Sequence, residues 1–324
     1  MRYERLGQTD LKVSRICFGT WQVGGDWGAI DTEQAKAAVR RALDLGINFF
    51  DTAQAYGWGR SERLLGEALA PELRSRREQF IIATKGGLRR QNGEIRRDSS
   101  PEWLRRCIEQ SLRELGIDCI DLYQVHWPDP ETPFEETAAV LEEFVREGKA
   151  RYIGVSNFDA RQMAIFQRTR RIDTLQPPYH LLRRQIEEEV LPYCREHGIG
   201  VFAYSPLAHG LLAGKIDQDT EFDEGDWRRH SGLFTGEELR RNVAIVRELE
   251  RYAERRGWTV AQLAIAWTLA TPGIAAAIVG ARNPEQIEGT APAGDIDLSA
   301  RDREEIEEIL EGAVPVGGPS PETV

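Results

Sequence analysis

The chain has 324 residues, 41% hydrophobic and 29% charged, with a formal net charge of -11: enough apolar matter for a large core, and an acidic balance that argues against a nucleic-acid partner. Cys17, Cys107, Cys119 and Cys194 are widely spaced, with no CxxC pair or nearby His, so neither a metal site nor a disulfide framework is expected. The start, MRYERLGQTDLKVSRI, has no apolar signal core, and no stretch nears the ~18 uninterrupted apolar residues of a membrane span, which makes the cytoplasm the expected compartment and leaves monomer and homo-oligomer both open.

After a hairpin built on LGQTDLKVS, short β-rich runs alternate with longer amphipathic runs eight times. The expected strands are Ile16 to Thr20, Asn48 to Thr52, Phe80 to Lys85, Ile120 to Val125, Tyr152 to Ser156, Thr174 to Gln176, Val201 to Ser205 and Ala276 to Gly280. Several are apolar at consecutive positions, as strands of a parallel sheet covered on both faces should be. Between them, TEQAKAAVRRALDLG places Ala38, Val39, Ala42 and Leu43 on one face, with Thr32 as cap and Gly46 as stop. SPEWLRRCIEQSLRELG has Ser100 as cap, Pro101 in the first turn and Gly116 at the end.

Eight βα units predict an α/β fold, a TIM-type (β/α)8 barrel with an N-terminal hairpin and extra helices. A doubly wound fold would require a GxGxxG turn, which Gly19, Gly24, Gly25 and Gly28 do not form. The expected organisation is one barrel domain over residues 1–311 and a mobile Pro/Gly-rich tail over 312–324. Lys215 to Arg241 reads as a long functional loop.

A barrel of this type gathers its chemistry at the C-terminal ends of the strands. Asp51 follows NFF, Lys85 follows IIAT, His126 follows LYQV, and Tyr56 lies five positions after Asp51 on a loop. A buried Lys85 ammonium beside Tyr56 would favour tyrosinate and lower the phenol from its usual pKa of about 10. Asp51 would hold Lys85 by an ion pair, and His126 would orient and polarise a carbonyl oxygen. Singly, each has a structural explanation: a turn cap, a barrel ion pair, a satisfied semi-buried histidine, a packed aromatic. Three polar residues ending three strands of a barrel favour the chemical reading.

The SPLAHGLLAGK segment, with Ser205, Pro206 and Leu207, offers backbone N–H groups and Lys215 to a pyrophosphate, and Gly210 and Gly214 permit close approach. In GARNPEQ, which follows strand-ending Gly280, Arg282 precedes a helix expected to begin near Pro284, an arrangement suited to a 2'-phosphate. Trp21, Trp58 and Trp127 adjoin the mouth motifs and, with Tyr56 and His126, are candidates for a substrate pocket. His209 and the segment Glu221 to His230 are candidates for closing over a cofactor.

The segments NFFDTAQAYGWGRSE, IIATKGG, IDLYQVHWPD, IGVSNFD and YSPLAHGLLAGK, in this order, resemble those of the aldo-keto reductase superfamily. The resemblance runs from GTWQVGG at Gly19 to IVGARNPEQI ending at Ile287 and is similar in detail to the bacterial inositol-utilisation and general-stress branch. It implies a hydride transfer between a nicotinamide cofactor, NADPH with NADH possible, and a small carbonyl substrate. It also implies Asp51, Tyr56, Lys85 and His126 as the catalytic tetrad, with Tyr56 as proton donor and no metal. Ser156, Asn157 and Gln176 match the residues that hold the nicotinamide carboxamide, and Tyr204 matches the aromatic that stacks on its ring. Gly19, Thr20, Trp21, Asp51, Ser205, Pro206, Leu207, Gly210, Lys215, Gly280, Arg282 and Gln286 complete the implied cofactor set. Gly289 and Thr290 stand where the family commonly has an acidic residue and Asn against adenine. Related potassium-channel β subunits make a nucleotide-sensing barrel that docks a protein partner the alternative, and a polyol dehydrogenase working in the oxidative direction is another.

Overall fold

The computed structural model describes residues 1–25, 30–224, 226–231 and 234–318. Strands β1 (Tyr3–Arg5) and β2 (Lys12–Ser14) form the antiparallel N-terminal hairpin, Tyr3 opposite Ser14. Eight parallel strands then close a barrel: β3 (Ile16–Gly19), β4 (Phe49–Asp51), β5 (Ile81–Gly86), β8 (Ile120–Val125), β9 (Ala150–Ser156), β10 (Thr174–Gln176), β11 (Gly200–Ala203) and β12 (Ile274–Gly280), with β12 pairing back onto β3. This is the expected (β/α)8 architecture. β6 (Leu88–Gln91) and β7 (Glu94–Arg97) form a further hairpin directly after β5.

The two-residue period of a strand sorts each barrel segment into an inner and an outer set. Inside, Cys17, Phe49, Ile81, Ala83, Leu122, Phe202, Ala276 and Ile278 fill the barrel, and Leu6, Leu11 and Val13 of the hairpin region join the same cluster. Outside, Ile16, Phe18, Phe50, Ile82, Tyr123 and Val155 pack against the surrounding helices. The inner register of Phe49 carries on to Asp51, and that of Ile81 and Ala83 to Lys85. Both polar side chains therefore enter the barrel at its C-terminal end.

The crossover helices include α1 (Thr32–Asp44), α2 (Arg60–Ser75), α3 (Pro101–Leu115), α4 (Phe134–Arg146), α5 (Ala160–Phe166) and α6 (Val190–His197). Ser100 caps α3 through the Trp103 N–H, and Gly116 ends it at φ 67°, as the sequence pattern indicates. The cap of α1 differs: Asp31 accepts from Glu33 and Gln34, and Thr32 is the first helical residue, because the carboxylate one position upstream reaches two orphan N–H groups at once.

After β11, the segment read as loop to Arg241 contains a short 3-10 turn (Trp227–His230), and α7 (Gly236–Glu254) takes up the last six residues of that segment. Glu237 and Glu238 in its first turn suit the positive end of the helix dipole. α8 (Val260–Ala270) precedes β12, and α9 (Pro284–Thr290) and α10 (Ala300–Ile309) follow it. Beyond α10 the Val316 N–H donates to Leu182 O at 2.8 Å, Val314 exchanges two hydrogen bonds with Asn242, and Arg241 donates to Gly312 O. Gly318 lies against the imidazole of His209. Residues 319–324 of the tail lie outside the described residues. No helix among the described residues is long and apolar enough to cross a membrane.

Two glycines give opposite expectations. A Cβ on Gly66 of α2 would stand 2.5 Å from the backbone oxygen of Leu115 at the end of α3, where the backbone has no room to yield. Gly66→Ala is expected to lower stability by about 1–3 kcal/mol. Gly289 of α9 has open space around the same position, so Gly289→Ala is expected to raise stability by up to about 1 kcal/mol. Urea unfolding midpoints moving in the same direction would contradict this packing.

Two buried imidazoles in the loops after β10 and β11 set an acid limit. Burial, helped by Arg183 and by His209, holds His180 well below its ordinary value, and burial with Arg183 and Arg228 pushes His209 down to about 4. The unfolded chain, with histidines near ~6.5, then binds more protons than the native state between about pH 4 and 6.5. Their contribution is complete above ~6.5 and is lost as the pH falls, at up to about 1.4 kcal/mol per pH unit for each group. Thermal melts from pH 6.5 to 4.5 are expected to show a shallower decline in His209→Gln than in the wild type, and parallel declines would exclude His209 as a source.

Candidate active site

The site is assembled from strand ends. Parallel register sets Gly19 beside Asp51 and Lys85 beside Gln124, with Gln176 beside Ser156, so these residues ring one end of the barrel. Thr20 and Trp21 continue β3, His126 continues β8, Asn157 continues β9, and Tyr204 to Leu207 continue β11. Tyr56 arrives on the loop after β4. That loop turns through Gly57 (φ 60°), Trp58 (φ 55°) and Gly59 (φ 99°), and a Cβ on Gly57 would meet the backbone oxygen of Gly24 at 2.3 Å. The close approach of the two loops fixes the height of the phenol over the barrel.

Lys85 is fully buried. Its ammonium donates to Asp51 Oδ1 at 2.6 Å, to Thr52 O at 2.8 Å and to Tyr56 OH at 3.5 Å, which uses all three protons. Asp51 Oδ2 accepts from Gln176 Nε2 at 2.8 Å. Burial pushes the Asp51 carboxyl up from its ordinary value, while Lys85 and then Gln176 pull it back. A buried ion pair is tolerated only when its remaining hydrogen-bonding capacity is met, and here both partners are served.

His126 stands with its ring 5.6 Å from that of Tyr56, edge to face. Burial, with the Lys85 charge added, holds the imidazole well below its ordinary value, so it is neutral at pH 7 and offers one N–H as donor. Its Nδ1 makes no hydrogen bond among the described residues. The Asn157 amide donates to His126 O at 3.0 Å and to Ser156 Oγ at 3.1 Å, and Asn157 Oδ1 accepts from Tyr204 OH at 2.8 Å. Ser156 Oγ in turn donates to Gln176 O. One hydrogen-bond network thus runs from Tyr204 through Asn157, Ser156, Gln176 and Asp51 to Lys85 and Tyr56.

The other half of the mouth combines left-handed backbone with basic side chains. Ser205 (φ 57°), Ala208 (φ 46°), His209 (φ 56°) and Gly210 (φ 101°) all occupy the left-handed region within six residues, a backbone habit of anion-binding nests. Lys215 is exposed on the same segment. Arg282 follows β12, where Gln286 Oε1 accepts the Arg282 backbone N–H at 2.7 Å and Asn283 caps α9. Burial and the Arg228 guanidinium lower Arg282 from its ordinary value, yet a guanidinium stays protonated, so two cations share this wall. A Cβ on Gly280 would collide with the side chain of Gln22. These features fit a dinucleotide: polar groups for a carboxamide at one end, left-handed backbone and cations for phosphates at the other.

Of the three candidate pocket tryptophans, Trp21 stacks on Tyr56 at 6.3 Å. Trp58 lies under Arg90 at 5.6 Å and Trp127 under Arg97 at 4.9 Å, both arginines coming from the β6–β7 hairpin. The sequence reading did not single out Trp227 or Arg228. Trp227 packs on Trp21 at 6.5 Å and on His209 at 5.0 Å, and Arg228 joins Asp226 to the backbone oxygen of His209. The available signal was one Trp in the charged stretch DEGDWRRH; residue 225 of that stretch lies outside the described residues.

Comparison with known proteins gives this arrangement a family. The Aldo/keto reductase family model matches residues 15–311. The aldo-keto reductase YhdN of Bacillus subtilis (strain 168) is 40% identical over 321 residues, spanning 98% of this chain and 96% of that protein. An NADH-specific methylglyoxal reductase of Escherichia coli (strain K12) is 35% identical over 322 residues, spanning 94% and 97%. The solved structure of the glycerol dehydrogenase AKR11B4 from Gluconobacter oxydans is similar with a TM-score of 0.88 and 38% identity, spanning 98% of this chain and 97% of that one. With the closed eight-stranded barrel and a match over nearly its whole length, the chain belongs to the aldo/keto reductase family of oxidoreductases.

Proposed function

We propose that the chain is an NADP-dependent reductase that converts small aldehydes and ketones to alcohols, with Tyr56 donating the proton. The observation that carries this reading is the fully buried Lys85 ammonium, 2.6 Å from Asp51 and 3.5 Å from the Tyr56 hydroxyl at the barrel mouth. A nicotinamide nucleotide, when bound, supplies the hydride. The protein supplies the proton and the field. The ammonium stabilises the phenolate left when Tyr56 gives up its proton. Asp51 and Thr52 O hold the ammonium in place, and neutral His126 donates a hydrogen bond to the carbonyl oxygen as charge develops there.

Ser156, Asn157 and Gln176 would hold the carboxamide of the cofactor, Asn157 and Gln176 lying in the same network as Asp51. Tyr204 would cover one ring face, leaving the other to the substrate. Gly19, Thr20, Trp21, Ser205, Pro206, Leu207, Gly210, Lys215, Gly280, Arg282 and Gln286 would line the rest of the cofactor. Trp21 and His126 would bound the substrate beside Tyr56, with Trp58 and Trp127 at the rim.

The likeness to a glycerol dehydrogenase favours a second reading, oxidation of a small polyol, in which the same tyrosinate accepts the proton. A panel of small aldehydes and dicarbonyls with NADPH, set against glycerol and related polyols with NADP, separates the two directions.

Tyr56→Phe is expected to lower turnover by about 10²–10⁴-fold, the usual worth of general acid catalysis, with cofactor affinity measured by fluorescence kept within about threefold. Turnover within about tenfold of wild type would remove Tyr56 from the proton-donor role.

Arg282 is proposed to read the 2'-phosphate. A charge-assisted hydrogen bond is worth roughly 1.5–3 kcal/mol, so Arg282→Ala is expected to weaken NADPH binding by about tenfold to a hundredfold and leave NADH nearly unchanged. Dissociation constants for both cofactors in both proteins provide the check; an unchanged ratio would show that Arg282 does not make this contact. The NADH-specific relative makes the wild-type ratio the first quantity to measure.

A further inference from the structure

The first turn of α2 is keyed to the strand ends that carry the active site. Ser61 Oγ donates toward Thr20, 2.7 Å from its Oγ1 and 3.0 Å from its backbone oxygen, and accepts from Thr52 Oγ1 at 3.1 Å. The next residue, Glu62, is fully buried on the outer face of β5. Its Oε1 accepts from the Thr84 hydroxyl at 2.6 Å, while Oε2 makes no hydrogen bond among the described residues. Thr84 directly precedes Lys85, and because side chains alternate across a strand, the carboxyl and the ammonium occupy opposite faces of β5.

No cation touches this carboxyl among the described residues, and apart from the Lys85 charge across β5 the groups around it are neutral or acidic. From α3 come Ser111, whose buried hydroxyl faces the carboxyl and, after Thr84, favours its charged form, the thiol of Cys107, and Glu114, which is taken up by Arg63 at 2.8 Å. From β8 comes the buried Tyr123 hydroxyl, also without a partner among the described residues. From β5 come Thr84 and the Lys85 charge. A carboxylate sealed in such surroundings, with neutral hydroxyls and a thiol but no cation in contact, is held poorly in its charged form.

We propose that Glu62 is a positioning residue, a buried proton-exchanging carboxyl on the outer face of β5 whose charge state sets the field at the Lys85–Tyr56 pair on the inner face. Burial pushes it up to about 7, where a change of one pH unit around neutrality alters its charge. The inference rests on Tyr56 acting as the proton donor. Its sign follows from charge: an ionised Glu62 offsets part of the ammonium's field and makes tyrosinate less favourable. Tyr56 then parts with its proton less readily, and carbonyl reduction slows as the pH rises through neutrality.

Two readouts test this, using the full chain. Infrared difference spectra between pH 6 and 8 need no turnover. The wild type is expected to show a buried protonated carboxyl that disappears at pH 8, and Glu62→Gln is expected to lack it. The second readout is kcat against pH at saturating NADPH and aldehyde. The wild type is expected to lose about threefold or more between pH 6 and 8, which corresponds to half a pKa unit of coupling, and Glu62→Gln is expected to flatten that decline.

Should Glu62→Gln fail to fold, Thr84→Val removes the 2.6 Å hydrogen bond on the carboxylate and is expected to move the infrared midpoint to higher pH. The absence of a carboxyl titrating between pH 6 and 8 would overturn the proposal. So would superimposable kcat profiles for the wild type and Glu62→Gln. Full turnover in Tyr56→Phe alongside an intact infrared titration would instead place the failure in the proton-donor reading.

Discussion

The structure is organised around one unfavourable act, the removal of an ammonium and a carboxylate from water inside the barrel. A buried pair repays its desolvation only if the geometry is close and no hydrogen-bonding capacity is wasted. Lys85 spends its three protons on Asp51, Thr52 O and Tyr56, and the second oxygen of Asp51 takes the Gln176 amide. The bonded partners lie between 29 and 125 residues apart in the chain, on β4 and its loop, β5 and β10. The pair is therefore affordable only in the closed barrel, and the closed barrel in turn hands Tyr56 a fixed positive neighbour.

The alternation of a strand links this floor to the wall behind it. On β5 the inward positions run Ile81, Ala83, Lys85, from apolar filling to charge, while Thr84 points outward to the helix layer. The C-terminal end of β5 thus carries a polar side chain on each face, Lys85 inward and Thr84 outward. Ser61 and Glu62 make α2 part of both the packing and the electrostatics of the mouth.

Much of this could be read from the residues. Apolar runs such as IIAT and IDLYQV announced strands buried on both sides, and a polar residue after each run marked the mouth. Single-residue choices were harder: Asp31 and Thr32 are both good caps, and only the built turn shows which one reaches two N–H groups. The β6–β7 hairpin was missed although Asn92-Gly93, at φ 53° and 88°, is a strong turn signal, because its strands are charged rather than alternating apolar. The bond between Tyr204 and Asn157 had no local trace at all. It exists because β9, β10 and β11 lie side by side, a fact of closure rather than of pattern.

That charged hairpin meets the body of the protein through ring faces as well as through hydrogen bonds such as Trp103 Nε1 to Leu88 O at 3.0 Å. Arg89 lies over Trp103, Arg90 over Trp58 and Arg97 over Trp127, at 4.9 to 5.6 Å from the ring centres. A guanidinium on an indole is held by the ring's quadrupole and by broad contact, with a weaker demand on direction than a hydrogen bond makes. The floor of the mouth is thus fastened by short directional bonds, and this part of its rim by a mixture of directional bonds and broad face contacts. Exchanges on the outer surface of the hairpin can therefore alter this side of the rim while the distances among Asp51, Lys85 and Tyr56 stay as they are.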